Sequence, residues 1–129
     1  MSVVTTTNPP GVREPASRYS HAVLVENASR RLVISGQVGM DQDGSVPSSG
    51  EAQIAQVFHN LRTILRAHNM EFSNVVKTSA FLTDRALMSA YRAARDTVFA
   101  EHAPASTLLF VAGLADPRFQ VEIEAEAVA

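Results

Sequence analysis

Val121-Glu122-Ile123-Glu124-Ala125-Glu126-Ala127 alternates apolar and acidic residues over seven positions. A period of two is the signature of a β-strand, whose successive side chains point to opposite faces. The stretch predicts a strand with one apolar face and three carboxylates on the other. An apolar sheet face needs a cover, and two segments upstream can provide it. Ile54, Phe58, Leu61, Ile64 and Leu65 recur at helical spacing between Glu51 and about His68. Ser48 or Ser49 can cap that helix, Glu51 suits its positive end, and Asn69 is a plausible stop. Leu87, Tyr91, Ala94 and Val98 mark a second amphipathic helix, with Asp84 as its N-cap and an end near His102, ahead of Pro104.

Further strands are predicted over residues 74–82 and 106–111. The runs 21–25 and 31–35, with turn-type residues 27–30 between them, read as a β-hairpin. Gly36, Gly39, Gly44, Pro47 and Gly50 mark a loop over about 36–50. Residues 1–18 are rich in Thr, Pro and Ser and read as an irregular arm. The expected order is ββαβαββ, an α+β fold with both helices on one face of a single sheet. The other face is left to water or to another subunit, and the small and apolar residues on the strands favour a subunit.

At 129 residues the chain has the length of one domain, so 1–129 is read as a single unit. Apolar residues make up 46% and charged residues 19%, a globular composition. The formal charge of −2 and the single lysine, Lys77, do not form the basic patch that phosphate contact requires, so no nucleic-acid partner is expected. The absence of cysteine excludes disulfides, thiolate nucleophiles and zinc–cysteine sites. No apolar run reaches the ~20 residues that span a bilayer. Residues 1–10 have neither a basic start nor a long apolar stretch, so a cytoplasmic location is expected.

Generic catalytic motifs are absent. Ser35-Gly36-Gln37-Val38-Gly39 has two glycines but not the G-x-G-x-x-G spacing. His21, His59, His68 and His102 are not spaced as ligands of one metal and read as surface or structural groups. Glu122, Glu124 and Glu126 are ordinarily a solvated strand face. Stacked like charges, however, raise one another's pKa values, and one carboxylate there could orient a water. Arg92 and Arg95 read as helix-surface cations. Tyr19 precedes the first predicted strand, where its phenol can pack or point into a cleft.

Six segments, in order, resemble the RidA/YjgF (Rid) family. Tyr19 stands where the family has a tyrosine, and Ile34-Ser35-Gly36-Gln37 is similar to its S-G-Q motif. Residues 76–84 resemble its V-K-T-x-V-F-x-x-D strand, and Phe99-Ala100-Glu101-His102 its F-x-E-H helix end. Pro104-Ala105-Ser106-Thr107 falls at P-A-R-[ST], and residues 121–125 at V-E-I-E-A. The resemblance implies a chorismate-mutase-like fold and a homotrimer with ligand clefts between subunits. It also implies hydrolysis of small reactive imines and enamines without metal or organic cofactor. It assigns Glu122 to positioning water. Tyr19, Ser35, Gly36, Ser106 and Thr107 are assigned to substrate binding. One departure stands out: Ser106 occupies the place of the arginine that clamps the substrate carboxylate. A hydroxyl cannot reproduce a bidentate guanidinium contact, so an atypical substrate is expected. Arg92, where many members carry asparagine, is a candidate to return the cation. The alternative is a non-catalytic trimer that binds a small metabolite in the same clefts.

Overall fold

The computed structural model describes residues 3–129, in the order β1 (Val3–Thr7), β2 (Ala22–Glu26), β3 (Arg31–Val38), α1 (Gly50–Ala67), β4 (Val75–Leu82), α2 (Met88–Phe99), β5 (Ala105–Phe110) and β6 (Val121–Val128). The acidic–apolar stretch is β6, which lies inside a four-stranded sheet of order β3-β6-β4-β5. β6 runs antiparallel to both β3 and β4. β4 and β5 are parallel, an arrangement that needs a crossover connection, and α2 provides it. The fold is α+β, two helices on a mixed sheet, as the alternation predicted.

The alternation also sets the layers. Val121, Ile123, Ala125 and Ala127 are buried with Ile54, Val57, Phe58, Leu61 and Leu65 of α1. Phe58, Phe72 and Phe99 meet edge to face, Phe72 and Phe99 with centroids 5.2 Å apart. Ser49 caps α1 by accepting a hydrogen bond from the Ala52 N–H, and Asn69 follows the helix with a φ of 57°. Asp84 accepts from the Ala86 N–H at the start of a short 3-10 turn that leads into α2.

Four expectations are corrected. Part of the arm expected to be irregular is a strand: β1 pairs antiparallel with β2 as a separate two-stranded ribbon. The sheet is therefore not single. The hairpin between residues 21–25 and 31–35 does not form: β2 pairs with β1, and β3 pairs with β6 at the edge of the other sheet. The intervening turn explains this. Ser29 and Arg30 donate their N–H groups to the Ala129 carbonyl, and Ala129 donates back to the Arg30 carbonyl, so the turn is tied to the C-terminal residue. The apolar stripe of α2 is also rotated from the expected one. Tyr91, Arg95 and Phe99 face the core, while Leu87, Ala94 and Val98 are only partly covered.

Gln53 went unnoticed in the sequence, where it interrupts an apolar stripe. It is fully buried and donates to the Pro47 and Arg118 carbonyls while its own carbonyl accepts from the Gln120 N–H. One side chain thus ties the 36–50 loop and the turn before β6 to α1. A buried amide with these partners satisfied is tolerated in a core, whereas an unpaired one is costly.

Candidate functional site

Glu122, Glu124 and Glu126 lie on the sheet face away from the helices, opposite Phe81, Ser79 and Lys77 of β4 in register. Their surroundings separate them. Glu126 is committed to Arg31, whose Nη2 lies 3.0 Å from Oε2. Glu124 is exposed. Glu122 is half-buried, and among the described residues no ion pair holds its carboxylate. It lies against Gly36 of β3, where a Cβ would overlap the carboxylate, with Cδ only 2.8 Å and Cγ 2.9 Å away. Gly36 is placed by a bulge: β3 has one extra residue between the Ile34–Ala125 and Gln37–Ile123 pairs. Ser35 shares the bulge and is exposed. The open face therefore brings together Ser35, Gly36 and Glu122.

Ser106 points the other way. It pairs with Thr78 across the parallel β4–β5 ladder, and the Thr78 hydroxyl donates to Ser106 Oγ at 3.3 Å. Thr78 is buried, so this pair lies on the helix side of the sheet. Tyr91 of α2 is buried near it, with Arg95, Ser106 and Thr78 among the groups that act on its phenol. Burial pushes the Tyr91 phenol above its ordinary value, and Arg95, Ser106 and Thr78 pull it partly back. The Arg95 guanidinium lies 5.8 Å from the Tyr91 ring centroid and pairs with Asp96 at 3.0 Å. Arg95 is only 7% exposed, so it is not the surface cation that the sequence suggested. This cluster went unrecognised in the sequence. Its signal was the spacing of Arg95 four residues after Tyr91 and four before Phe99, inside an apolar stripe.

Tyr19 reaches the same edge by another route. Its neighbour Ser20 bridges to Ala105 of β5, donating its N–H to the Pro104 carbonyl at 3.2 Å. The Tyr19 ring is half-buried and meets His21 edge-on at 5.8 Å. Arg92 is half-buried on α2, and its Nε has no hydrogen-bond partner. Thr107 is exposed and, one residue on from Ser106, faces the opposite side of β5. The predicted site residues thus fall into two groups within one protomer. Ser35, Gly36 and Glu122 share the open face, to which Thr107 of β5 also turns. Ser106 and the α2 face that carries Tyr91 lie behind it, with Tyr19 at the β5 edge.

Two of the concave surfaces leave them apart. A cavity of about 70 Å³ lies beside Glu124 and Glu126 and omits Glu122. A groove of about 480 Å³ between α1 and α2, lined by Phe58, His59, Arg62 and Val98, holds none of the predicted site residues. Two histidines are structural: ring Nε2 atoms contact the Arg13 carbonyl from His21 and the Val75 carbonyl from His102, at 2.5 and 2.6 Å.

Residues 10–129 match the family described as Endoribonuclease L-PSP. The chain belongs to the Rid family. A human protein named 2-iminobutanoate/2-iminopropanoate deaminase is 38% identical to it over 128 residues, 98% of this chain and 88% of the human one. The Escherichia coli protein of the same name is 32% identical over 76% of this chain and 77% of its own length. A Rid-family structure from Yersinia pestis, of unknown function, superposes with a TM-score of 0.88 at 28% identity and covers 98% of both chains. RidA from an Antarctic Psychrobacter gives 0.73 at 29% identity, covering 97% of this chain and 99% of its own. Imine deamination is thus an activity named within the Rid family, and the match is nearly full-length.

Proposed function

We propose that the chain is a hydrolytic deaminase of small reactive imines and enamines, releasing a carbonyl product and ammonia. The observation that carries the proposal is the half-buried, unpaired carboxylate of Glu122 on the open sheet face. In the reaction, a water held by Glu122 adds its oxygen to the imine carbon. Its protons pass to the nitrogen, by way of the carboxylate, and the C–N bond then breaks to release ammonia. An enamine first takes a proton on carbon and gives one up from nitrogen, by way of the carboxylate, to become the imine. A positioned carboxylate suits both proton transfers. No step requires a metal or organic cofactor.

The same proposal includes a homotrimer with ligand clefts between protomers. Glu122 and Ser106 project from opposite faces of one sheet, so a site containing both needs two copies of the chain. Val33 and Leu109, 62% and 49% exposed, add apolar surface on the open face that such an assembly would cover. The substrate is proposed to differ from the imines of common amino acids. Ser106 has no charge, and its hydroxyl is engaged by Thr78, so a carboxylate would gain little from it.

Ammonia release from freshly generated imines of several amines and amino acids tests the reading. Turnover above the buffer background for at least one imine is expected, lost in Glu122→Ala. Background rates for all of them would remove the enzyme reading and leave the clefts as a binding site for a small metabolite. Light scattering tests the assembly, with an expected mass of about 42 kDa, three times 13.9 kDa.

A further inference from the structure

Glycine in a strand usually marks either a backbone that no other residue can adopt or a close approach from a neighbour. At Gly36 the first explanation fails. The positive-φ glycines among the described residues are Gly11 and Gly44, and Gly36 is not among them. Alanine could follow its backbone without strain. The second explanation holds: the space a Cβ would occupy contains the Glu122 carboxylate. The β3 bulge directs that space at Glu122, because its extra residue falls between the Ile34–Ala125 and Gln37–Ile123 pairs. The neighbouring carboxylates have no such seat: Glu126 is held by Arg31, and Glu124 is exposed.

We propose that Gly36 is the positioning residue for Glu122. Its missing side chain leaves a seat that holds the carboxylate against β3 without an ion pair, free to take a hydrogen bond from water. A methyl group there drives the carboxylate out of the seat while the backbone stays as it is. Activity falls because a reacting group displaced by about 1 Å can lose on the order of 100-fold in rate. The catalytic part of this inference rests on the proposed deaminase reading, whereas the steric part does not.

A double-mutant cycle tests both parts. Melting temperature is measured for wild type, Gly36→Ala, Glu122→Ala and the double variant, and kcat and KM for wild type and Gly36→Ala. Gly36→Ala is expected to lower the melting temperature when Glu122 is present and to leave it unchanged or slightly raised in the Glu122→Ala background, where the only remaining effect is the unfolded chain's lost freedom. Its kcat is expected to fall at least about ten-fold with KM little changed, on the displacement argument above. If Gly36→Ala alone does not fold, recovery of folding in the double variant supports the seat. An equal loss of melting temperature in both backgrounds, or a double variant that also fails to fold, overturns it. Coupling in melting with kcat unchanged overturns the positioning role. A wild type with no turnover on any imine rejects the deaminase reading and the catalytic role with it, and the melting cycle then decides the steric claim alone.

Discussion

The open face around Glu122 and the helix-side cluster around Ser106 are both polar, yet they are built on opposite plans. On the open face a side chain is missing: Gly36 leaves room, and a carboxylate occupies it with no ion-pair partner among the described residues. Behind the sheet the polar groups are drawn together: Thr78 donates to Ser106, Arg95 pairs with Asp96, and the buried Tyr91 phenol lies near them. A buried network of this kind fixes a structure when its members are paired. An unpaired carboxylate contributes little to folding and is available to a ligand. The comparison separates a group free to do chemistry from groups occupied in holding α2 against β4 and β5.

The largest expected effect breaks the comparison at the level of assembly. If Glu122 of one protomer and Tyr19 of another form one site, Glu122→Ala and Tyr19→Ala should each abolish turnover. Denatured together at equal amounts and refolded, they should recover about a quarter of wild-type activity, the statistical share of sites that draw both intact residues. No recovery in mixed trimers would place both residues in the same protomer's contribution and defeat the two-group arrangement.

The next effect concerns Ser106. The resemblance that sets Ser106 in the place of an arginine implies a vacancy into which arginine could be restored. Ser106 is already engaged, because the Thr78 hydroxyl donates to it and the buried Tyr91 phenol lies near the pair. Ser106→Arg should therefore destabilise the fold by about 1–3 kcal/mol through overpacking, with a further loss from the second guanidinium near Arg95. Adding Tyr91→Ala should recover part of that loss in thermal melting. A Ser106→Arg variant that melts like wild type and gains activity on amino-acid imines would show that the cluster gives way readily, and the contrast between the two regions would fall.

How much of this the sequence revealed follows the same division. The strict alternation of 121–127 predicted β6, its buried face and the fold class, because a period of two leaves one register in which the apolar side is covered. Both helices were legible from their apolar spacing. The β1–β2 ribbon was not, since Val3–Thr7 is short, shows no apolar–polar alternation and is followed by the Pro-, Gly- and Ser-bearing stretch 8–18. The hairpin was misread because local turn residues cannot reveal that their hydrogen bonds go to Ala129. Glu122 was named from the resemblance, yet three identical carboxylates in alternation gave no way to rank it by physics. Only its contact with Gly36 and the pairing of Glu126 with Arg31 distinguish it. The Tyr91–Arg95 cluster was hidden because a charged residue on a helix reads as solvated until a partner is found for it.

The smallest expected effect sharpens the helix-side half alone. Burial holds the Tyr91 phenol above its ordinary value of 10.0, so the folded chain keeps that proton at a pH where the unfolded chain releases it. Below about pH 10 both states are protonated and the contribution of the buried neutral phenol is intact. As pH rises from there through the raised folded value, the unfolded state binds fewer protons than the folded one, and stability falls. Tyr91→Phe removes this titration. The melting temperature of wild type should therefore drop more steeply than that of Tyr91→Phe between about pH 9 and pH 11, a window set by the ordinary tyrosine value. Tyr19, half-buried at the β5 edge, is present in both proteins and cancels in the difference. Parallel alkaline profiles would mean that water reaches the Tyr91 phenol, and the cluster would then resemble the open face more than the contrast allows.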